Sequence, residues 1–231
     1  VLSHARGIVE ISNINFDGSL QSPRLLPAHL AAVKELAEMG SSCSKYNELP
    51  ASEDITKGIE KLENRLGNFE SNNGIELSAL VGQLRTIVSL MDNDSIMYCG
   101  LCHGDFTPWN MYVKDNQLYI YDWEMCTEGV PVFFDIFHFV FQSEILLNQS
   151  DYSIIKENIV SFFKEDRTIS MVRLFNIDIN QSYMFYLLFI VTKYLNLYVV
   201  QDVPHQQIYW MVAVWKKAMQ DIISTKGKPF R

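Results

Sequence analysis

The sequence predicts a mostly helical α+β fold, on three observations: helical apolar spacing on both sides of the chain's middle, one central stretch with β alternation, and no internal repeat or low-complexity segment. With 48% hydrophobic and 13% aromatic residues, the 231-residue chain can bury a substantial core as one or two domains.

Residues 1–16 contain two short β-like stretches, with Ile8, Val9, Ile11 and Ile14 among their apolar positions, before a turn at Asp17-Gly18. They read as the end of a sheet. Pro27 suits the first turn of a helix reaching about Met39, because its missing N–H is not needed there, and Gly40 is a suitable stop. The polar, turn-rich residues 41–52 predict a surface loop. Two amphipathic helices follow, over about 53–69 and 75–91, separated by the breaker Ser71-Asn72-Asn73-Gly74. Residues 97–123 read as strand, loop, strand, a turn at Asp115-Asn116 and strand, with Leu118 and Ile120 alternating among tyrosines. Helices resume over about 132–147, 152–165, 181–201 and 205–225. The apolar run 183–200 nears membrane-spanning length, but Lys193, Asn196 and several tyrosines interrupt it, so it reads as a buried core helix.

Acidic residues outnumber basic ones 27 to 19, for a formal net charge of -8, and no Lys/Arg-rich run breaks that pattern. This disfavours a nucleic-acid partner, which needs a clustered basic surface. The first residues have neither the charged start nor the apolar stretch of a secretory signal, and no initiating Met, so the expectation is a chain that begins inside a longer protein. Four cysteines do not make a disulfide framework and point to a reducing compartment such as the cytoplasm. Cys99-Gly100-Leu101-Cys102-His103 has the spacing of c-type haem attachment, which is one alternative reading of the chain as a haem or redox protein. Against it, haem attachment would require export, for which the sequence shows no signal, and a zinc site would need a second ligand pair that Cys43 and Cys126 do not supply. Buried apolar thiols ending a strand are the simpler account.

The informative segment is His103-Gly104-Asp105-Phe106-Thr107-Pro108-Trp109-Asn110, followed twelve residues after Asn110 by Asp122-Trp123-Glu124. A carboxylate and an amide five residues apart on a loop after a strand can converge on one point, and a second carboxylate at the end of a hairpin can reach it. Phosphoryl transfer needs that geometry: the attacking hydroxyl must be oriented and lose a proton, while hard oxygen ligands hold magnesium against the nucleotide phosphates.

These motifs, continued by Gly129-Val130-Pro131 and Asp135-Ile136-Phe137-His138, resemble the aminoglycoside phosphotransferase and choline kinase superfamily. The close resemblance covers residues 97–142. It implies a protein-kinase-like C-terminal lobe with a small β-hairpin catalytic insert, using Mg2+ and ATP as phosphate donor. In that resemblance Asp105 is the catalytic base that accepts the substrate hydroxyl's proton, Asn110 and Asp122 bind metal and nucleotide phosphates, and His103 and Asp135 support the loop. Glu124 lies near the metal without an assigned role, while Phe106 and Trp109 read as loop packing. The family's nucleotide lobe would be largely missing: there is no Gly-x-Gly-x-x-Gly and no lysine before Lys34. Residues 1–16 would then be a remnant of that lobe's strands and hinge, with Glu10 to Asn13 near an adenine, and residues 17–231 the catalytic and substrate-binding lobe.

The implied activity is transfer of the γ-phosphate of ATP to a hydroxyl of a small molecule: a sugar, an aminoglycoside or an amino alcohol. The acidic excess favours a cationic amine, and a sugar hydroxyl is equally open. A catalytically silent kinase-like binding module is the second reading. Tyr194, Tyr198, Tyr209 and Trp210 read as core, with a pocket-lining role as the alternative.

Overall fold

Apolar residues spaced three and four apart become the buried faces of a helical frame, seen here in a computed structural model that describes residues 3–5, 8–10, 18–66, 76–201 and 204–230. The helices are α1 (Pro27–Glu38), α2 (Pro50–Glu63), α3 (Leu77–Leu90), α4 (Phe134–Gln142), α5 (Tyr152–Phe163), α6 (Asp166–Leu174), α7 (Ile179–Tyr198) and α8 (Gln206–Ser224). Ile55, Ile59 and Leu62 form the buried stripe of α2, and Leu77, Leu80, Val81, Leu84 and Ile87 that of α3. In α7 the burial has no stripe, because every residue from Tyr183 to Leu188 is 0% exposed. A helix apolar all round belongs in the interior. Accordingly α7 packs against α2, α3, α4 and α8. Asp178 caps α7 by accepting from the backbone N–H of Asn180 and Gln181, a contribution of about 1 kcal/mol.

The strands form small antiparallel sheets. β1 (Ser3–Ala5) pairs with β2 (Ile8–Glu10); β3 (Ser42–Lys45), β4 (Ile96–Cys102) and β7 (Thr127–Pro131) lie in the order β3-β4-β7; β5 (Met111–Lys114) pairs with β6 (Gln117–Ile120). Asp115 and Asn116 both have positive φ, at 50° and 61°, which is the two-residue turn that matches the twist of a hairpin. Leu20 bridges to Val113 with two 2.8 Å backbone hydrogen bonds, extending the hairpin by one edge contact.

Three sequence expectations are corrected. The loop over 41–52 is instead β3, a 3₁₀ turn at Tyr46–Glu48 and the start of α2, since Pro50 occupies the first helical turn and Ser42 to Lys45 pair with Cys99 to Ile96. β7 escaped notice because Gly129 and Pro131 weaken its local β signal; its pairing with β4 supplies what the side chains do not. α6 also follows α5 where a single helix end was predicted. The predicted apolar positions Ile11 and Ile14, Asp17 of the turn, the hinge residues Ile11 to Asn13 and the breaker Ser71 to Gly74 lie outside the described residues. Among the described residues no single helix is long and apolar enough to cross a membrane. α6 and α7 pass by length and composition only as a pair bent by 88°.

Candidate catalytic site

β4 ends at Cys102 and delivers His103-Gly104-Asp105 into a loop that is anchored from below by α4. Asp135, in the first turn of that helix, accepts from the backbone N–H of His103 at 2.7 Å and of Gly104 at 3.0 Å. Its carboxyl is pushed upward by burial, while those two N–H groups pull it back. His103 is fully buried and joins two segments: its Nδ1 accepts from the Asp105 N–H at 3.3 Å, so its Nε2 is the donor to the Tyr121 carbonyl at 2.9 Å. Gly104 must be glycine on two counts. Its φ is +80°, and a Cβ there would stand 2.2 Å from the Met125 carbonyl oxygen. The loop therefore lies directly against the 3₁₀ turn Trp123–Met125 that follows Asp122.

Asp105 is half-buried and gripped at both oxygens. Asn110 Nδ2 donates to Oδ2 at 2.8 Å and to the Asp105 carbonyl at 3.0 Å. His138 Nε2 donates to Oδ1 at 3.3 Å from α4. The His138 hydrogen bond is the main cause holding the Asp105 carboxyl below its ordinary value, against an upward push from burial, with Asn110 adding to the same effect. His138 itself is wholly buried between Phe134 and Tyr186, and its Nδ1 has no partner among the described residues. Sequence reasoning quoted His138 without giving it a role. A signal was available, since Asp135 and His138 are three apart on one helix and therefore share a face.

Asp122 sits at the end of the hairpin in the left-handed region, φ 65°, and its carboxylate is exposed. The residue before it is tied to the loop twice, through Tyr121 N–H to the Asn110 carbonyl at 3.1 Å and through the His103 contact. Tyr121 Oη also donates to the Trp109 carbonyl. The backbone thus brings the Asp122 segment to Asn110 and His103. Glu124 is exposed in the turn and makes no hydrogen bond to the loop among the described residues. Phe106 is 0% exposed against His29, His103 and Phe139, as loop packing requires, whereas Trp109 is 37% exposed. Tyr194 and Tyr198 stack with Trp215, while Tyr209 is 37% exposed and so is not core.

The donor set suits magnesium. With its amide N–H₂ engaged by Asp105, Asn110 has its oxygen left for a hard cation, and Asp122 adds a carboxylate oxygen. Magnesium is ordinarily held by one or two such protein ligands together with substrate phosphates. Among the described residues no group of three or more His, Cys, Asp and Glu forms a closed cage. The Cys-x-x-Cys-His spacing has a different fate. Cys99 and Cys102 are free and buried in β4, and burial pushes the Cys99 thiol up to about 12 and the Cys102 thiol well above its ordinary value. Both are poorly placed for thiolate chemistry.

No family model matches the sequence, and no curated protein matches it. Among solved structures the chain is similar to a glucosamine kinase (crystal form B), with 10% sequence identity and a TM-score of 0.38, over 86% of this chain and 49% of that one. The chain spans about half the length of that protein, and a likeness this weak carries no argument about the site.

Proposed function

We propose that this chain is the catalytic-loop portion of an ATP-dependent phosphotransferase that moves the γ-phosphate to a hydroxyl of a small molecule, with Asp105 as base. The observation that carries this reading is the two-sided grip on Asp105, by Asn110 on Oδ2 and His138 on Oδ1. An ionised carboxylate fixed in direction is what deprotonating an alcohol during phosphoryl transfer asks for. Asp105 orients the acceptor hydroxyl and takes its proton as the new O–P bond forms and the bond to the leaving ADP oxygen breaks. Asn110 keeps the carboxylate aligned, and Asp135 and His103 keep the loop from shifting during the transfer. Asn110 and Asp122 are the residues that would hold magnesium, which when bound neutralises charge on the nucleotide phosphates.

Calorimetric titration with ATP tests the reading, with and without magnesium. Binding that needs magnesium and is lost in Asp122→Ala supports it. Asp105→Asn is expected to keep nucleotide binding and fold while lowering turnover by at least 100-fold, the scale of general base catalysis. Unchanged turnover removes Asp105 from the mechanism, and magnesium-independent or absent ATP binding favours the silent binding module.

A further inference from the structure

Lys193 is the one charged residue within α7. Its ammonium lies 5.9 Å from the ring centroids of both Phe189 and Tyr194, and it forms no ion pair among the described residues. Burial lowers its affinity for a proton, offset in part by the negative charge of Asp105. A half-buried ammonium without a carboxylate partner is costly unless something else supplies the negative charge.

That charge has a place to sit. Lys193 lines a cleft of about 350 Å³ between α2 and α7, a volume within the range of small-molecule sites. The facing wall on α2 carries Lys57 and Lys61. Lys57 is held by Glu53 at 2.6 Å in an exposed pair, which solvent screens, and Lys61 forms no ion pair among the described residues. Against these three lysines the lining has one carboxylate, the exposed Asp54. The walls are also fixed. Asn196 Nδ2 donates to the Gly58 carbonyl at 3.0 Å, and a Cβ at Gly58 would stand 2.4 Å from Thr192 Cγ2, so the helices meet in contact at the cleft.

We infer that this cleft binds the anionic group of a small hydroxylated acid, such as a sugar carrying a carboxylate or a phosphate. The anion preference rests on the lysines of the cleft and is independent of the phosphotransferase reading. Lys193 sets the anion, and Lys61 adds long-range attraction. The overall charge of -8 is thus opposed locally where the ligand enters. A cationic amine, which bulk charge would favour, meets repulsion here.

The test is binding by the full chain, read by calorimetry, of glucuronate, glucose-6-phosphate, glucose and glucosamine. At least one of the two anionic sugars is expected to bind about tenfold more tightly than glucose and glucosamine, and the pair separates a carboxylate site from a phosphate site. Lys193→Met is expected to weaken that binding about tenfold and the exposed Lys61→Met about threefold, with circular dichroism unchanged. Should Lys193→Met not fold, Lys61→Met alone decides. Equal binding of glucosamine, an anion affinity indifferent to Lys193 or, in that event, to Lys61, or no binding of either anion overturns the inference. A magnesium–ATP titration on the same samples separates the two readings: anion binding without nucleotide binding sinks the phosphotransferase assignment, and nucleotide binding without anion preference sinks this one.

Discussion

Asp105 and His138 share a contact in which one side chain supplies the charge and the other fixes it. His138 donates to Oδ1 and, with Asn110 on Oδ2, keeps the carboxylate ionised to lower pH than an exposed aspartate. His138 from α4 and Asn110 from the loop hydrogen-bond this carboxylate, and His103 from the loop and Lys193 and Tyr194 from α7 interact with its charge. Removing the donor with His138→Phe raises the Asp105 pKa, so the acid limb of the rate profile moves toward higher pH. The rate at neutral pH is expected to fall roughly tenfold, the value of a lost hydrogen bond to a charged group. His138→Gln, which keeps a donor, is expected to restore part of both. An acid limb that stays in place in the Phe variant would show that His138 only fills space. At this scale the sequence displayed Asp105, Asn110 and Asp122 because their chemistry depends on short local spacing. It did not display His138 or Lys193, whose roles come from residues 33 and 88 positions from Asp105.

Helix α1 joins the site to acid stability through His29. Its Nδ1 accepts from the Leu26 N–H at 2.9 Å, and its ring lies against Phe106 and Phe139. Burial holds its pKa down from 6.5 to about 4. Between those values the unfolded chain binds the proton and the folded chain does not, so this contribution to stability is present above pH 6.5 and is lost as pH falls toward 4. The loss is roughly 3 kcal/mol by linkage. Urea midpoints measured from pH 7 to pH 4.5 should fall accordingly, and His29→Gln, which retains an acceptor for Leu26, should flatten that limb. A variant whose midpoint falls as steeply as the parent's would assign the acid sensitivity elsewhere. Helix periodicity was legible in α2, α3 and α8 because each repeats its apolar residues over several turns, and α7 showed itself by its long apolar run. β3, β7 and α6 were not, since each is short and depends on a distant partner for its pairing or burial.

Across the whole molecule, one apolar core runs from α1 through α4 and α7 to α8, and the loop that carries Asp105 rests on its edge. Cysteine accessibility reports on that arrangement. Cys43 and Cys126 are exposed, whereas Cys99 and Cys102 are buried in β4. Alkylation of the native protein is expected to modify two thiols, and all four only after denaturation. Rapid native modification of Cys99 and Cys102 would reopen the haem or redox reading.

By itself the sequence determined the helical class, the Asp115-Asn116 hairpin and the spacing of Asp105, Asn110 and Asp122, because periodicity, turn conformation and short loops are properties of neighbouring residues. Only the tertiary structure decided that His138 grips Asp105, that Asp135 holds the loop by its backbone, and that three lysines face one cleft between α2 and α7. Those facts arise where helices distant in sequence pack together, and the strength of a charge or hydrogen bond there depends on the burial that packing creates.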